Sequence, residues 1–171
     1  MPAWNHWYHV TITAYGQWLP GDPRGWRVRD HKYHVPGDYK NPPPPSKFAT
    51  NLHAYAKSLL KNDPVFLPQE LRQPIGERIL ESLTIQRIDH RALAIAPKHV
   101  HVLLQSANER PKLAAGKCKQ NVSRNIPCTF ESGWWAQDSH AEPIGDAAHF
   151  ANAIQYILDH VDEGAWVWRR S

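Results

Sequence analysis

The chain has 171 residues, of which 42% are hydrophobic, and a formal net charge of +4. This composition fits one globular domain over residues 1–171 and excludes a disordered chain. The sequence has no apolar run of membrane-spanning length and no signal-peptide pattern, so we expect a cytoplasmic protein without a membrane partner. Its two cysteines, Cys118 and Cys128, lack zinc-type spacing and predict no disulfide framework. A pI of about 9.1 favours a polyanionic partner.

The first predicted strand, residues 7–15, alternates apolar side chains with a polar row of His9, Thr11 and Thr13. A long irregular insert is predicted at residues 16–45, because this stretch is rich in proline, glycine and aspartate turn signals. Cations and tryptophans are interleaved in the insert, a composition that favours contacts to a nucleic-acid backbone and to stacked bases. The candidate residues are Trp18, Arg24, Trp26, Arg27 and Arg29. The alternative is a surface loop that packs its own tryptophans.

The rest of the chain alternates helical and extended patterns. Caps, breaks and apolar spacing predict a first helix capped by Thr50 or Asn51 and ending near Lys61, followed by a helix over 68–85. They next predict a hairpin, in which Pro97-Lys98 links a strand at 90–96 to the histidine strand that ends at Gln105. The remaining predicted elements are a helix from Glu109 or Pro111 to Asn125, a strand over 128–137, and a helix from Asp146 to about Val161. The order βαββαβ predicts a ferredoxin-like α+β fold, an antiparallel sheet with two helices on one face, followed by an extra C-terminal helix. The second face of this sheet is expected to be free.

Two histidines lie one residue apart in the second strand of the hairpin. His99 and His101 project from the same face of a strand, together with Leu103, while Val100 and Val102 project toward the core. Two adjacent imidazoles are potential metal ligands. The alternative is a pair of solvated strand residues in a histidine-rich chain.

The final predicted helix carries an apolar stripe at helical spacing, which predicts burial. The stripe consists of Ala147, Phe150, Ala151, Ile154, Ile157, Leu158 and Val161. Tyr156 and His160 fall outside it, one turn apart on the opposite face, so we expect their side chains to lie side by side. Core packing does not explain this tyrosine; the alternative is a half-exposed surface residue.

These residues resemble, in chain order, the HUH single-tyrosine transposases of bacterial insertion sequences, and in particular the REP-associated tyrosine transposase group. The resemblance covers residues 90–164 and the first strand. It implies that His99 and His101 bind a divalent cation, Mg²⁺ or Mn²⁺. It also implies that Tyr156 is the nucleophile that cleaves DNA and forms a 5′-phosphotyrosine. His160 stands where the family usually has a Gln or Asn as third ligand.

The resemblance further implies single-stranded DNA with a nearby hairpin as the partner, and it leaves monomer and homodimer equally open. Lys117 or Lys119, on the predicted basic helix, is expected to neutralise developing charge or to hold the DNA strand. Arg124 on the same helix, with Arg169 and Arg170 in the basic tail, is expected to contact DNA as well.

Two other classes of function fit the same residues. One is a domesticated nucleic-acid-binding module that keeps the basic and aromatic surfaces without cleaving. The intact set of His99, His101 and Tyr156 argues against this alternative. The other is a metal-dependent hydrolase that works without a covalent step.

Overall fold

The computed structural model describes residues 3–22 and 47–171. The chain divides into two compact units, residues 1–15 with 65–171 and residues 16–64. The predicted insert falls in the second unit, and its candidates Arg24, Trp26, Arg27 and Arg29 lie outside the described residues. The prediction of one domain over residues 1–171 remains a prediction. No helix in the described parts of the chain has the length and apolar character needed to cross a bilayer.

The first unit is an α+β structure built on a five-stranded antiparallel sheet. Its strands are β1 (Trp7–Ala14), β2 (His90–Ile95), β3 (His99–Gln105), β4 (Trp135–Pro143) and β5 (Trp166–Arg169). The order across the sheet is β4-β1-β3-β2-β5, so β3 lies at the centre between β1 and β2. The predicted hairpin is confirmed: β2 and β3 pair directly, and the Ala96 N–H donates to the His99 carbonyl across the turn.

The helices are α1 (Lys47–Ser58) in the second unit, and α2 (Gln69–Ile85), α3 (Pro111–Asn125) and α4 (Ala147–Asp159) in the first. The predicted bounds of α2 and α3 are confirmed. The predicted start of α1 is wrong, because Thr50 and Asn51 lie inside the helix and not at its cap. Asp146 does cap α4, since its side chain accepts the His149 N–H at 2.7 Å.

Two predictions about strands are wrong. The strand expected at residues 128–137 begins only at Trp135 and extends to Pro143. A turn precedes it, in which Gly133 has a φ of 74° and the buried Trp134 indole donates to the Ile126 carbonyl. The basic tail forms an unpredicted fifth strand beside β2.

Both faces of the sheet are covered, which corrects the expectation of one free face. Helices α2 and α3 pack on the face that carries Val100 and Val102. Helix α4 packs on the other face, where Ala153 and Ile157 contact Leu103 and a row of small residues. That row is Ala92, Ala94 and Ala96. Because these side chains are only methyl groups, α4 can approach the strands closely. This close approach brings Tyr156 and His160 near the histidines of β3.

Candidate metal centre

Strand alternation places two imidazoles under α4. His99 and His101 project from β3 on the same side as Leu103, the face that α4 covers. Their partners in the register of β1 are Thr13 and Thr11. The His101 side chain is buried, with an exposed fraction of 5%. A buried imidazole needs partners for both ring nitrogens.

His101 has partners at one ring nitrogen only. Its Nδ1 lies 2.9 Å from His9 Nε2 and 3.2 Å from Thr11 Oγ1. Its Nε2 is buried and has no hydrogen-bond partner among the described residues. Hydrogen bonds at Nδ1 fix the ring orientation, as outer partners of metal-bound histidines do. The unsatisfied Nε2 is therefore the atom that fits a metal ligand.

His160 also has a hydrogen bond at Nδ1, which leaves Nε2 as its candidate ligand atom. It begins a short 3-10 helix, His160–Glu163, directly after α4. Its Nδ1 lies 2.9 Å from the Tyr156 carbonyl oxygen. Because a carbonyl only accepts, Nδ1 carries the proton and donates it, and the lone pair of the neutral ring is on Nε2.

The three imidazoles converge within one chain. One nitrogen from each of His99, His101 and His160 lies within 4.8 Å of the other two. Three nitrogens bound tetrahedrally to one ion at about 2.1 Å lie about 3.4 Å apart, so side-chain movements of up to about 1 Å are enough to close the triad. The residues therefore fit a bound cation. Three imidazoles favour borderline metals over Mg²⁺, which prefers oxygen ligands.

Tyr156 completes the cluster. Its ring centroid lies 4.8 Å from that of His160, 5.4 Å from that of His101 and 5.6 Å from that of His9, in edge-to-face geometry each time. The side chain is 47% exposed, so it is open to a large substrate from solvent. The structure thus brings a phenol and three potential metal ligands together, all from the α4 side of the sheet.

The rotation of α4 differs from the prediction. Ala153, Ile157 and His160 are buried, whereas Ala151 and Val161, both assigned to the apolar stripe, are exposed. The placement of His160 on the face opposite the core was therefore wrong. The spacing 153, 157 and 160 is itself a helical stripe, but one member is an imidazole, and apolar patterning alone does not find it.

Burial keeps the inner imidazoles neutral. It is the main cause that lowers the pKa of His9 to about 4, and the positive charges that His140 and His160 can carry lower it further. Burial also lowers the pKa of His101 well below its ordinary value, helped by His99 and His9. Neutral imidazole is the form that binds metals, so these shifts favour a metal at neutral pH.

His9 and Thr11 are site residues that the sequence reasoning missed. Their sequence signal is the polar row that alternates with apolar residues along the first strand. Their role depends on β1 lying beside β3, with Thr11 opposite His101. Only the pairing of strands distant in sequence shows this.

The two predicted catalytic lysines lie on α3, which packs on the opposite face of the sheet. Lys119 Nζ donates to the backbone carbonyls of residues 136–138 at the start of β4, at 2.8–3.2 Å. Burial lowers the pKa of Lys119. Lys117 is exposed on the helix surface. Neither lysine belongs to the cluster, and the contacts of Lys119 indicate that it anchors β4.

The predicted DNA-binding residues are dispersed. Arg124 and Arg169 are exposed on α3 and β5, and Arg170 is ion-paired with Asp89. Trp18 lies in the second unit and is 39% exposed. Their contacts with DNA remain predictions.

A scan against protein-family models finds no match to this chain, and a search of curated proteins finds no similar sequence. The functional assignment therefore depends on the residues and their geometry.

Proposed function

We propose that this chain is a metal-dependent single-stranded DNA endonuclease and strand transferase, a tyrosine transposase of the HUH type. The observation that carries the proposal is the convergence of Tyr156 with His99, His101 and His160 in one chain. Three histidines alone are compatible with many metal sites. A phenol placed against them, half open to solvent, suits covalent cleavage of a phosphodiester by a tyrosine nucleophile.

The topology supports the same proposal. The order β4-β1-β3-β2 across the antiparallel sheet supports the ferredoxin-like arrangement that the proposal implies, and β5 is added at the β2 edge. The histidine pair lies on the central strand, and α4 carries the tyrosine across it. Both halves of the proposed site come from the same chain, which favours a site that forms without a second subunit.

His99, His101 and His160 would hold the cation. It would bind a non-bridging phosphate oxygen and reduce the charge that repels a nucleophile. His9 and Thr11 would keep the His101 ring oriented through Nδ1 while Nε2 acts as ligand. His160 is held in the same way by the Tyr156 carbonyl. That bond also ties the third ligand to the backbone of the nucleophile.

Tyr156 would attack phosphorus in line with the leaving oxygen. A phenol has a pKa near 10, so it must lose its proton as it attacks, and its exposure lets that proton leave to solvent. A bond forms between the phenol oxygen and phosphorus, and the bond between phosphorus and the 3′ oxygen breaks. The 3′ oxygen then takes up a proton. The product is a 5′-phosphotyrosine and a free 3′-hydroxyl. Because the new ester retains the phosphodiester bond energy, another 3′-hydroxyl can reverse the reaction and rejoin DNA.

The nature of the third ligand favours Mn²⁺ over Mg²⁺. Where similar transposases usually have an amide oxygen ligand, His160 offers a nitrogen. We expect His160→Gln, which restores the oxygen, to increase the ratio of Mg²⁺-supported to Mn²⁺-supported cleavage. An unchanged ratio would show that His160 is not a ligand.

The decisive experiment is covalent capture. The protein is incubated with Mn²⁺ and a labelled library of hairpin DNAs with randomised single-stranded flanks, and adducts that survive denaturation are sequenced. We expect adducts with the wild type and none with Tyr156→Phe. Tyr55→Phe is the matched control, since Tyr55 is also an exposed helical tyrosine, with an exposed fraction of 62%. Cleavage that persists in Tyr156→Phe would indicate a hydrolase, and binding without cleavage would indicate a binding module.

A further inference from the structure

A concave site lies on the same side of the sheet as the metal centre. It is a pocket of about 410 Å³ near the beginning of α4. Its apolar wall includes Trp4, Phe150 and Ile154, and its rim is formed by Arg91, Arg169 and Arg170. No residue of the metal centre takes part in this pocket, so the proposed chemistry does not account for it.

Ring packing and a backbone hydrogen bond hold the aromatic wall of the pocket in place. The Trp4 ring lies 5.6 Å from Phe150, which in turn packs edge-on against Trp7 at 4.9 Å. Trp4 is fixed by its backbone N–H, which donates to the Ile144 carbonyl at 2.6 Å. Trp7 is almost fully buried, with an exposed fraction of 6%, so it supports the pocket from below while Trp4 stays partly open.

The rim carries an excess of positive charge. Arg91 and Arg170 share a single carboxylate, that of Asp89. Among the charged side chains at the opening, three guanidinium groups stand against the single carboxylate of Asp89. The Arg91 guanidinium also lies 5.7 Å from the centre of the Trp7 ring. An aromatic wall under an arginine rim is complementary to a base with its phosphates.

The pocket lies close to the proposed nucleophile along both α4 and β1. Phe150 precedes Tyr156 by six residues on α4, which is about 9 Å along the helix axis. Trp7 precedes His9 by two residues on β1, which is about 7 Å along the strand. A single strand with its scissile phosphate at Tyr156 can therefore reach the pocket with a nearby nucleotide.

We infer that this pocket binds one unpaired base of the single-stranded DNA substrate, by stacking on Trp4 with the neighbouring phosphates at the arginine rim. The inference rests on the proposed function, because that function supplies single-stranded DNA as the ligand. The pocket gives the enzyme a contact to one nucleotide near the cleaved bond. It contributes to binding of the strand and not to the chemical step.

The test uses the Tyr156→Phe chain without metal, so that only binding is measured. Fluorescence anisotropy gives the Kd of a labelled single-stranded oligonucleotide of defined sequence and of its variants with one abasic position at a time. We expect one position at which removal of the base weakens binding about 5- to 150-fold, the range for a base stacked on an aromatic ring. In Trp4→Ala the same abasic change should have no further effect, whereas Trp4→Phe should keep most of the penalty.

Two further variants keep the test independent of folding defects. Arg169→Gln alters only an exposed rim residue and should weaken binding while reducing the slope of log K against log salt by about one. Phe66→Ala removes an exposed aromatic ring elsewhere on the first unit and should leave the abasic scan unchanged. An abasic scan that is the same with and without Trp4, together with an unchanged salt slope in Arg169→Gln, would overturn the inference.

The experiments distinguish a wrong assignment of the pocket from a wrong assignment of the nuclease function. Adducts on Tyr156 without any Trp4-dependent abasic penalty would reject the pocket alone. A Trp4-dependent penalty without any adduct would reject the nuclease and retain the pocket. Binding that is equally strong to fully abasic strands would show recognition through phosphates only, which also rejects the stacked base.

Discussion

Removal of the His9 imidazole tests how the metal ligands are held. His9 Nε2 lies 2.9 Å from His101 Nδ1, and Thr11 Oγ1 is the other partner at 3.2 Å. In His9→Ala the His101 ring keeps only the longer contact and gains space to rotate. We therefore expect weaker metal binding, although His9 itself is not a ligand.

The magnitude follows from the position of His9 behind the ligand. Loss of an outer hydrogen bond to a metal-bound histidine costs about 10- to 100-fold in metal affinity, or about 1.4 to 2.7 kcal/mol. Thr11→Val removes the longer contact and should cost less. Because both side chains act on one nitrogen, the effects of the double variant should not be additive.

Isothermal titration of the metal-free protein with Mn²⁺ measures this effect, and circular dichroism checks that each variant is folded. His6→Ala is the matched control, since His6 is a partly exposed histidine that faces Glu109 at 3.7 Å, outside the cluster. His9→Gln, which can still hydrogen-bond to Nδ1, should fall between His9→Ala and the wild type. A folded His9→Ala protein with wild-type affinity for Mn²⁺ would refute the reasoning.

Three further predictions concern stability. Gly76→Ala should lower the free energy of unfolding in urea by about 1–3 kcal/mol, because the added methyl group would lie 2.1 Å from a Trp166 ring carbon. Gly116→Ala, where the added methyl group meets nothing within 4 Å, should instead raise it by about 0.5–1 kcal/mol. Equal effects of the two substitutions would reject the clash at Gly76. Lys119→Met should lower the free energy of unfolding by about 1–3 kcal/mol, because the hydrogen bonds from Lys119 to β4 are lost, but the protein should still form adducts below its unfolding temperature. Lys117→Met should have little effect on either stability or adduct formation. Loss of adducts in a folded Lys119→Met protein would restore a catalytic role for Lys119. Lowering the pH from 7 to 5 should destabilise the metal-free protein by about 2 kcal/mol through His9 alone, because its pKa of about 4, against 6.5 when unfolded, means that only the unfolded chain takes up the proton. The lowered pKa of His101 adds to this dependence, so His9→Ala should lose about 2 kcal/mol of it and keep the part that His101 contributes. An unchanged dependence in His9→Ala would contradict the lowered pKa of His9.

Local signals were sufficient for several elements. The hairpin of β2 and β3, the bounds of α2 and α3 and the Asp146 cap follow from residues that are close in sequence. Each is fixed by a proline, a cap or an apolar period that acts within one or two turns. Local patterning also singled out His99, His101 and Tyr156, whereas His160 became a candidate ligand only through the family resemblance.

Long-range features could not be read in the same way. Strand β5 needs β2 as a partner before its alternation means a strand, and the tight contact of its Trp166 depends on a glycine in α2. The face that α4 buries depends on the small alanines of β2, which let the helix close over the sheet. His9 became a site residue only through the pairing of β1 with β3. In each case the information lies in contacts between distant segments.

The most direct test of the proposed chemistry is the identity of the residue that becomes linked to DNA. The protein is reacted with single-stranded DNA and Mn²⁺, digested with protease and nuclease, and examined by mass spectrometry for a nucleotide-bearing peptide. The geometry of the cluster predicts a 5′-phosphate ester on Tyr156, absent when His101 is replaced by alanine. Cleaved DNA with no modified peptide, or an ester on a different residue, would contradict the account.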